Sequence, residues 1–166
     1  MEIRTWQGDI TTLDVDAIVN AANRELARGS GVCGAIFRAA GPALDGACAA
    51  VGGCATGDAV ATPGFDLPAR WVIHAVGPVW HGGGSGEPDQ LASCYRRVVE
   101  VAGEIRARTV AIPAISTGVY GFPADRAAEI AVATLRGAAT SSTVDEVVLV
   151  AFDDETAQRY ELLLTP

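Results

Sequence analysis

The chain has 166 residues, 49% hydrophobic and 19% charged, which is enough apolar material for one hydrophobic core and too much for a disordered polymer. Twelve arginines, with no lysine, face 20 acidic residues for a net charge of -8, a balance that opposes binding to nucleic-acid polymers and anionic membranes. A small anionic ligand stays open, because backbone N–H groups at a helix N-terminus bind phosphate without a basic side chain. The first residues, Met-Glu-Ile-Arg-Thr-Trp, carry neither a signal-like nor a membrane-spanning apolar run, so the expectation is a cytoplasmic, monomeric single domain spanning residues 1–166. Cys33, Cys48, Cys54 and Cys94 form no C-x-x-C pair; they are expected to be reduced, and no metal site is expected.

Apolar runs of strand length alternate with segments of helical period. Strands are predicted at 3–6 and 17–20, followed by a helix opening near Val32 and a second helix begun by Pro42, in which Leu44, Ala47, Cys48 and Val51 share one face. Strands at 58–62 and 71–76 come next, then a glycine-rich stretch, His81 to Gly86, that reads as a short flexible loop. Leu91, Tyr95, Val98, Val99, Ala102 and Ile105 form a sustained helical stripe. A strand at 110–115, a helix at 123–136, a strand at 147–152 and a helix at 155–164 complete the chain. The run Val-Val-Leu-Val-Ala-Phe reads as a strand buried on both faces, which requires helices on both sides of the sheet. The pattern predicts a three-layer α/β/α domain with a largely parallel sheet.

In such folds ligands bind beyond the carboxyl ends of the strands, so the loops that follow strands hold the chemistry. The loop after the second strand reads Asn20-Ala-Ala-Asn23 and then Gly29-Ser-Gly-Val-Cys-Gly34, fitting G-x-G-x-x-G, a pattern that lets backbone amides approach a diphosphate. A dinucleotide-dependent dehydrogenase does not fit. Eight residues separate Asn20 from Gly29, whereas that fingerprint places its first glycine in the turn directly after the strand. The second loop reads Ser116-Thr-Gly-Val-Tyr-Gly121-Phe-Pro123; it serves either as a plain glycine turn or as the other side of a phosphate clamp.

Six ordered motifs carry a resemblance. Gly8-Asp-Ile-Thr11, Asp16-Ala-Ile-Val-Asn-Ala-Ala-Asn23, Gly31-Val-Cys-Gly-Ala-Ile36, Arg38-Ala-Ala-Gly41, Val72-Ile-His-Ala-Val-Gly-Pro78 and Pro113-Ala-Ile-Ser-Thr-Gly-Val-Tyr-Gly-Phe-Pro123 together resemble the macro domain family, in particular its MacroD-type branch. The resemblance implies a three-layer sandwich on a mixed, largely parallel six-stranded sheet and a pocket for ADP-ribose, with no cofactor. ADP-ribosylated proteins are the implied partners.

The residue roles follow from the same resemblance. Asp9 would accept the adenine amino group, beside the backbone of Ile10, although a turn role for Asp9 is the competing reading. Phe152 would pack on the adenosine or, alternatively, belong to the core. Asn23 would hold the distal ribose while Asn20 braces the loop. Gly31, Val32, Cys33 and Gly34 would face the diphosphate from one side, and Ser116, Thr117, Gly118, Val119 and Tyr120 from the other. Asn23, Gly118 and Tyr120 would position the reacting ribose. His74 reads as a satisfied core histidine and His81 as a surface residue.

Hydrolytic MacroD-type members read G-V-D-G with a histidine four residues beyond the aspartate. Those two positions hold Cys33 and Phe37 here. Phenylalanine does not titrate, and the reference pKa of a thiol near 8.5 makes it a poor general base. Cys33 is therefore either an apolar filler or a nucleophile activated at a helix N-terminus. Two functions follow: hydrolysis of ADP-ribosyl esters or O-acetyl-ADP-ribose by ligand-assisted water attack, and non-catalytic reading of ADP-ribose.

Overall fold

The computed structural model describes residues 1–166. Six strands, β1 (Glu2–Gln7), β2 (Ala17–Ala22), β3 (Ala59–Pro63), β4 (Trp71–Val76), β5 (Thr109–Ile112) and β6 (Glu146–Ala151), form one sheet in the order β1-β6-β5-β2-β4-β3. All neighbours are parallel except β3, which lies antiparallel to β4 at the edge. Five helices cover it: α1 (Gly31–Ala40), α2 (Ala43–Val51), α3 (Glu87–Glu104), α4 (Ala124–Ala138) and α5 (Asp154–Leu164). The α/β architecture read from the periodicity is the one observed.

Two cores lie on opposite faces of the sheet. On one, Val19, Ile73, Ile112 and Leu149 pack with Leu91, Tyr95 and Val98 of α3, Val132 and Leu135 of α4, and Tyr160 of α5. On the other, Ile18, Val72, Ala111 and Val148 meet Ile36 and Phe37 of α1 and Leu44 and Cys48 of α2. Adjacent strand residues therefore point into different cores, which explains the unbroken apolar runs. Each fully buried side chain of this size contributes about 1.5–3 kcal/mol of transfer free energy.

Two strands end earlier than expected. β5 stops at Ile112 because Pro113 has no N–H with which to extend the ladder. β6 stops at Ala151, and Phe152 leaves the sheet into a bend at its edge. Because five strands run parallel, their carboxyl ends line one edge, and the segments after β1, β6, β5, β2 and β4 all emerge there.

Candidate functional site at the carboxyl edge of the sheet

The β2–α1 loop is held by its own polar groups. Asn23 donates from Nδ2 to the Ala27 carbonyl (3.0 Å) and accepts at Oδ1 from the Ala27 N–H (2.9 Å). The brace is thus Asn23 rather than Asn20, a correction of the sequence reading, and the Asn23 amide keeps one N–H and one lone pair for a ligand. Farther along, a Cβ on Gly34 would stand 2.6 Å from the Gly29 carbonyl oxygen, so the loop backbone seats directly on the first turn of α1. At the N-cap, Ser30 makes no side-chain hydrogen bond, and the first turn contains no acid. The amides of Gly31, Val32 and Cys33 are left without a capping side chain, an arrangement suited to an anion. By contrast, α5 is capped by Asp153, which accepts from the Thr156 N–H at 2.8 Å.

The β5–α4 loop lies beside it, because β5 is the parallel neighbour of β2. Ser116 holds a left-handed backbone (φ 68°), a conformation costing a non-glycine residue on the order of 1 kcal/mol. Its side chain is 6% exposed, and its hydroxyl has no partner. The turn is closed by the Gly121 N–H on the Gly118 carbonyl (3.0 Å) and the Phe122 N–H on the Ser116 carbonyl (2.9 Å), while Thr117 Oγ1 donates to the Ala114 carbonyl at 2.9 Å. Gly118 is exposed, and Val119 at the tip is 89% exposed. Burial, followed by the charges of Glu25 and Cys33, raises the Tyr120 pKa. Tyr120 is therefore a neutral hydroxyl, able to donate but not to serve as a base at neutral pH.

A third group lies at the ends of β1 and β6. Asp9 caps a 3-10 turn at Ile10–Thr12: its Oδ1 accepts from the Thr11 N–H (2.9 Å) and the Thr11 hydroxyl (2.7 Å). Its Oδ2 takes no hydrogen bond from the protein, so the turn occupies one carboxylate oxygen and leaves the other free. Ile10 is buried. Phe152 is 91% exposed, which rules out the core reading and leaves an uncovered aromatic face one residue beyond β6.

The departures from the hydrolytic motif have structural explanations. Cys33 is buried with Ile18, Ile36 and Phe37, its Sγ 3.7 Å from the Ala27 carbonyl and 3.7 Å from Asn20 Nδ2, which is the filler role. Phe37 is buried beneath the Arg28 guanidinium, 5.6 Å from its ring centroid, and Arg28 makes a bidentate pair with Asp45 at 2.8 Å on both arms. His74 is a core residue, as expected. Asn20, 1% exposed, donates from Nδ2 to His74 Nδ1 (3.1 Å), placing the ring proton on Nε2, 2.9 Å from Thr62 Oγ1. Burial pushes the His74 pKa down to about 4.

Sequence reasoning missed Glu87. The His81 to Gly86 stretch, expected to be flexible, is organised by this carboxylate, which accepts from the N–H groups of His81 and Gly83 (2.9 Å each) and Ser85 (2.6 Å). An acid directly after a glycine-rich run was the available signal. A hollow of about 650 Å³ between the C-terminal halves of α3 and α4 includes none of the candidate residues.

The Macro domain family profile matches residues 19–131. The chain belongs to the macro domain family. This macro domain is 54% identical over 162 residues to a Klebsiella pneumoniae protein named O-acetyl-ADP-ribose deacetylase, covering 95% of this chain and 93% of that one. A macro domain-containing protein of Chlorobaculum tepidum is 52% identical over 163 residues, covering 98% and 95%. Among solved structures, a Trypanosoma brucei macrodomain in complex with ADP-ribose superposes with a TM-score of 0.93 at 38% identity, covering 99% of this macro domain and 69% of that chain. An Oceanobacillus iheyensis macrodomain with ADP gives 0.91 at 38% identity, covering 96% and 88%.

Proposed function

We propose that this macro domain binds ADP-ribose along the carboxyl edge of its sheet and hydrolyses O-acetyl-ADP-ribose or mono-ADP-ribosyl esters of acidic side chains. The observation that carries the reading is the uncapped N-terminus of α1, after β2, beside the Ser116–Tyr120 turn, which follows the adjacent parallel strand β5. In this reading the amides of Gly31, Val32 and Cys33 and of the turn hold the diphosphate, Asp9 Oδ2 and the face of Phe152 take the adenine, and Asn23 takes the distal ribose. The Klebsiella relative's name supports the hydrolytic part.

For an ester joined at the anomeric carbon, water adds to that carbon as the C–O bond to the carboxylate breaks. The carboxylate leaves as an anion, and the proton of the attacking water passes through a phosphate oxygen to solvent. The chain's contribution is positioning: Asn23 and the Tyr120 hydroxyl orient the ribose, and the α1 amides hold the phosphate that orders the water. A missing general base typically slows such a reaction by about 10²–10⁴-fold, which leaves a working enzyme.

The second reading, a module that reads ADP-ribose without turnover, is favoured by one observation: neither Cys33 nor Phe37, both buried, supplies a base. The test is incubation with a glutamate-ADP-ribosylated protein and with O-acetyl-ADP-ribose, following the released products. Turnover of either supports the enzyme; tight ADP-ribose binding with no turnover of either supports the reader.

A further inference from the structure

We infer that Glu87 is a positioning residue for the site: its buried carboxylate fixes the β4–α3 loop, and that loop fixes the Ser116–Tyr120 turn. The inference rests on the proposed ADP-ribose reading for its ligand side. Glu87 is 1% exposed, yet none of its three amide partners belongs to its own helix; His81, Gly83 and Ser85 all precede α3. The carboxylate therefore does more than favour the first turn of its own helix, in which it sits. It gathers three backbone dipoles of one loop around a single charge, an anion site filled from within.

From there the contacts run without a gap to the candidate site. Gly83 has a positive φ of 90°, and a Cβ there would stand 2.8 Å from the Trp80 ring, so the gathered loop lies directly against that indole. Trp80 in turn donates its backbone N–H to the Tyr120 carbonyl at 2.8 Å. Its ring packs on Phe122 with centroids 4.7 Å apart and is covered on another side by the Arg126 guanidinium at 5.3 Å. Tyr120 and Phe122 are thus tied to the neighbouring loop by one hydrogen bond and one ring contact. Both depend on where Trp80 sits, and Glu87 sets the backbone conformation that follows it. Removing the carboxylate frees three amides that no other side chain satisfies and releases the Trp80 anchor.

Asp16 supplies a matched comparison, since its Oδ2 also accepts two backbone amides, Arg108 N–H (2.7 Å) and Thr109 N–H (3.2 Å), but at the amino edge, away from the site. A merely stabilising role predicts the same behaviour for both carboxylates; a positioning role separates them. The experiment measures ADP-ribose and AMP affinity by calorimetry, with amide hydrogen exchange, for wild type, Glu87→Ala, Glu87→Gln, Gly83→Val and Asp16→Ala, at a temperature where each is folded. AMP reaches the adenine side and a single phosphate; ADP-ribose also needs the Ser116–Tyr120 turn.

For Glu87→Ala the expected result is a tenfold or greater loss of ADP-ribose affinity, AMP affinity within twofold of wild type, and faster exchange at Gly121 and Phe122. Glu87→Gln should fall between wild type and Glu87→Ala, because its oxygen still accepts. Gly83→Val, which keeps the carboxylate but displaces Trp80, should resemble Glu87→Ala, and Asp16→Ala should bind both ligands as wild type does. Unchanged exchange at Gly121 and Phe122 in Glu87→Ala, or an equal loss of ADP-ribose affinity in Asp16→Ala, would overturn the inference. Wild-type protein that did not bind ADP-ribose would instead overturn the proposed function, and the exchange rates would still decide the coupling between the loops.

Discussion

The Asn20 amide nitrogen lies 3.1 Å from Nδ1 of His74, with both residues buried. The contact joins two adjacent parallel strands at directly paired positions and requires an unprotonated Nδ1. Thr62 Oγ1 at 2.9 Å and Cys48 Sγ at 3.7 Å complete the surroundings of the ring at Nε2. A proton added to Nδ1 would meet the Asn20 N–H head on.

That relationship sets a pH dependence. The His74 pKa is lowered from 6.5 to about 4 by burial, so between those values the unfolded chain binds a proton that the folded chain does not. His74 therefore contributes stability that is complete above pH 6.5 and is lost as pH falls toward about 4, an effect of about 3 kcal/mol. Chemical denaturation of wild type and His74→Gln across this window should show the two stabilities converging as pH falls. A constant difference would mean that the histidine does not titrate in this way.

At the proposed adenine side, Asp9→Ala and Asp9→Asn should behave differently. Alanine loses both the ligand oxygen and the cap on the Ile10–Thr12 turn, so affinity for ADP-ribose should fall by roughly 1.5–3 kcal/mol and stability by about 0.5–2 kcal/mol. Asparagine can retain the cap through its carbonyl oxygen and should show mainly the affinity loss. Equal affinity in wild type and Asp9→Ala, measured by calorimetry, would place the adenine elsewhere.

Phe152→Ala separates binding from folding more cleanly. Its ring is 91% exposed, so the unfolding temperature should hardly change, while loss of adenine stacking should cost about 1–3 kcal/mol of affinity. Thermal melts and calorimetry on the same samples test both halves, and a large drop in melting temperature would contradict the exposed position.

For turnover, Cys33→Ala should leave most of any wild-type hydrolysis intact, because the thiol fills a core site beneath α1. Gly118→Glu should abolish binding and turnover together: the position is exposed in the turn facing α1, and a carboxylate beside a diphosphate in a partly dry site costs several kcal/mol, roughly 4 at an effective dielectric of 20. Release of ADP-ribose, followed chromatographically, distinguishes the cases. Normal binding with complete loss of turnover in Cys33→Ala would make the thiol the catalytic group.

Periodicity alone was enough for the layers of this macro domain. Leu91, Tyr95 and Val98 are all buried on α3, and Val147 to Ala151 is buried residue by residue, because helical and strand periods are local properties that the sheet then satisfies from both sides. Motif order brought the candidate loops to one edge as well, since a parallel sheet gathers every post-strand loop there. What sequence could not decide was which atom each polar or aromatic group would meet. Asn20 and Asn23 are the same residue type three positions apart, yet one is buried against His74, 54 residues away in sequence, and the other closes a turn on Ala27. Phe152 could equally have continued β6 into the core; it faces solvent because the β1–β6 pairing ends at Gln7 and Ala151. Glu87 was legible only as an acid after glycines until the chain curved back to bring three amides onto it. Hydrophobic burial is non-directional and leaves its signature in spacing, whereas a hydrogen bond is fixed by distance and angle between particular atoms, and those are set only when the distant strands and loops have come together.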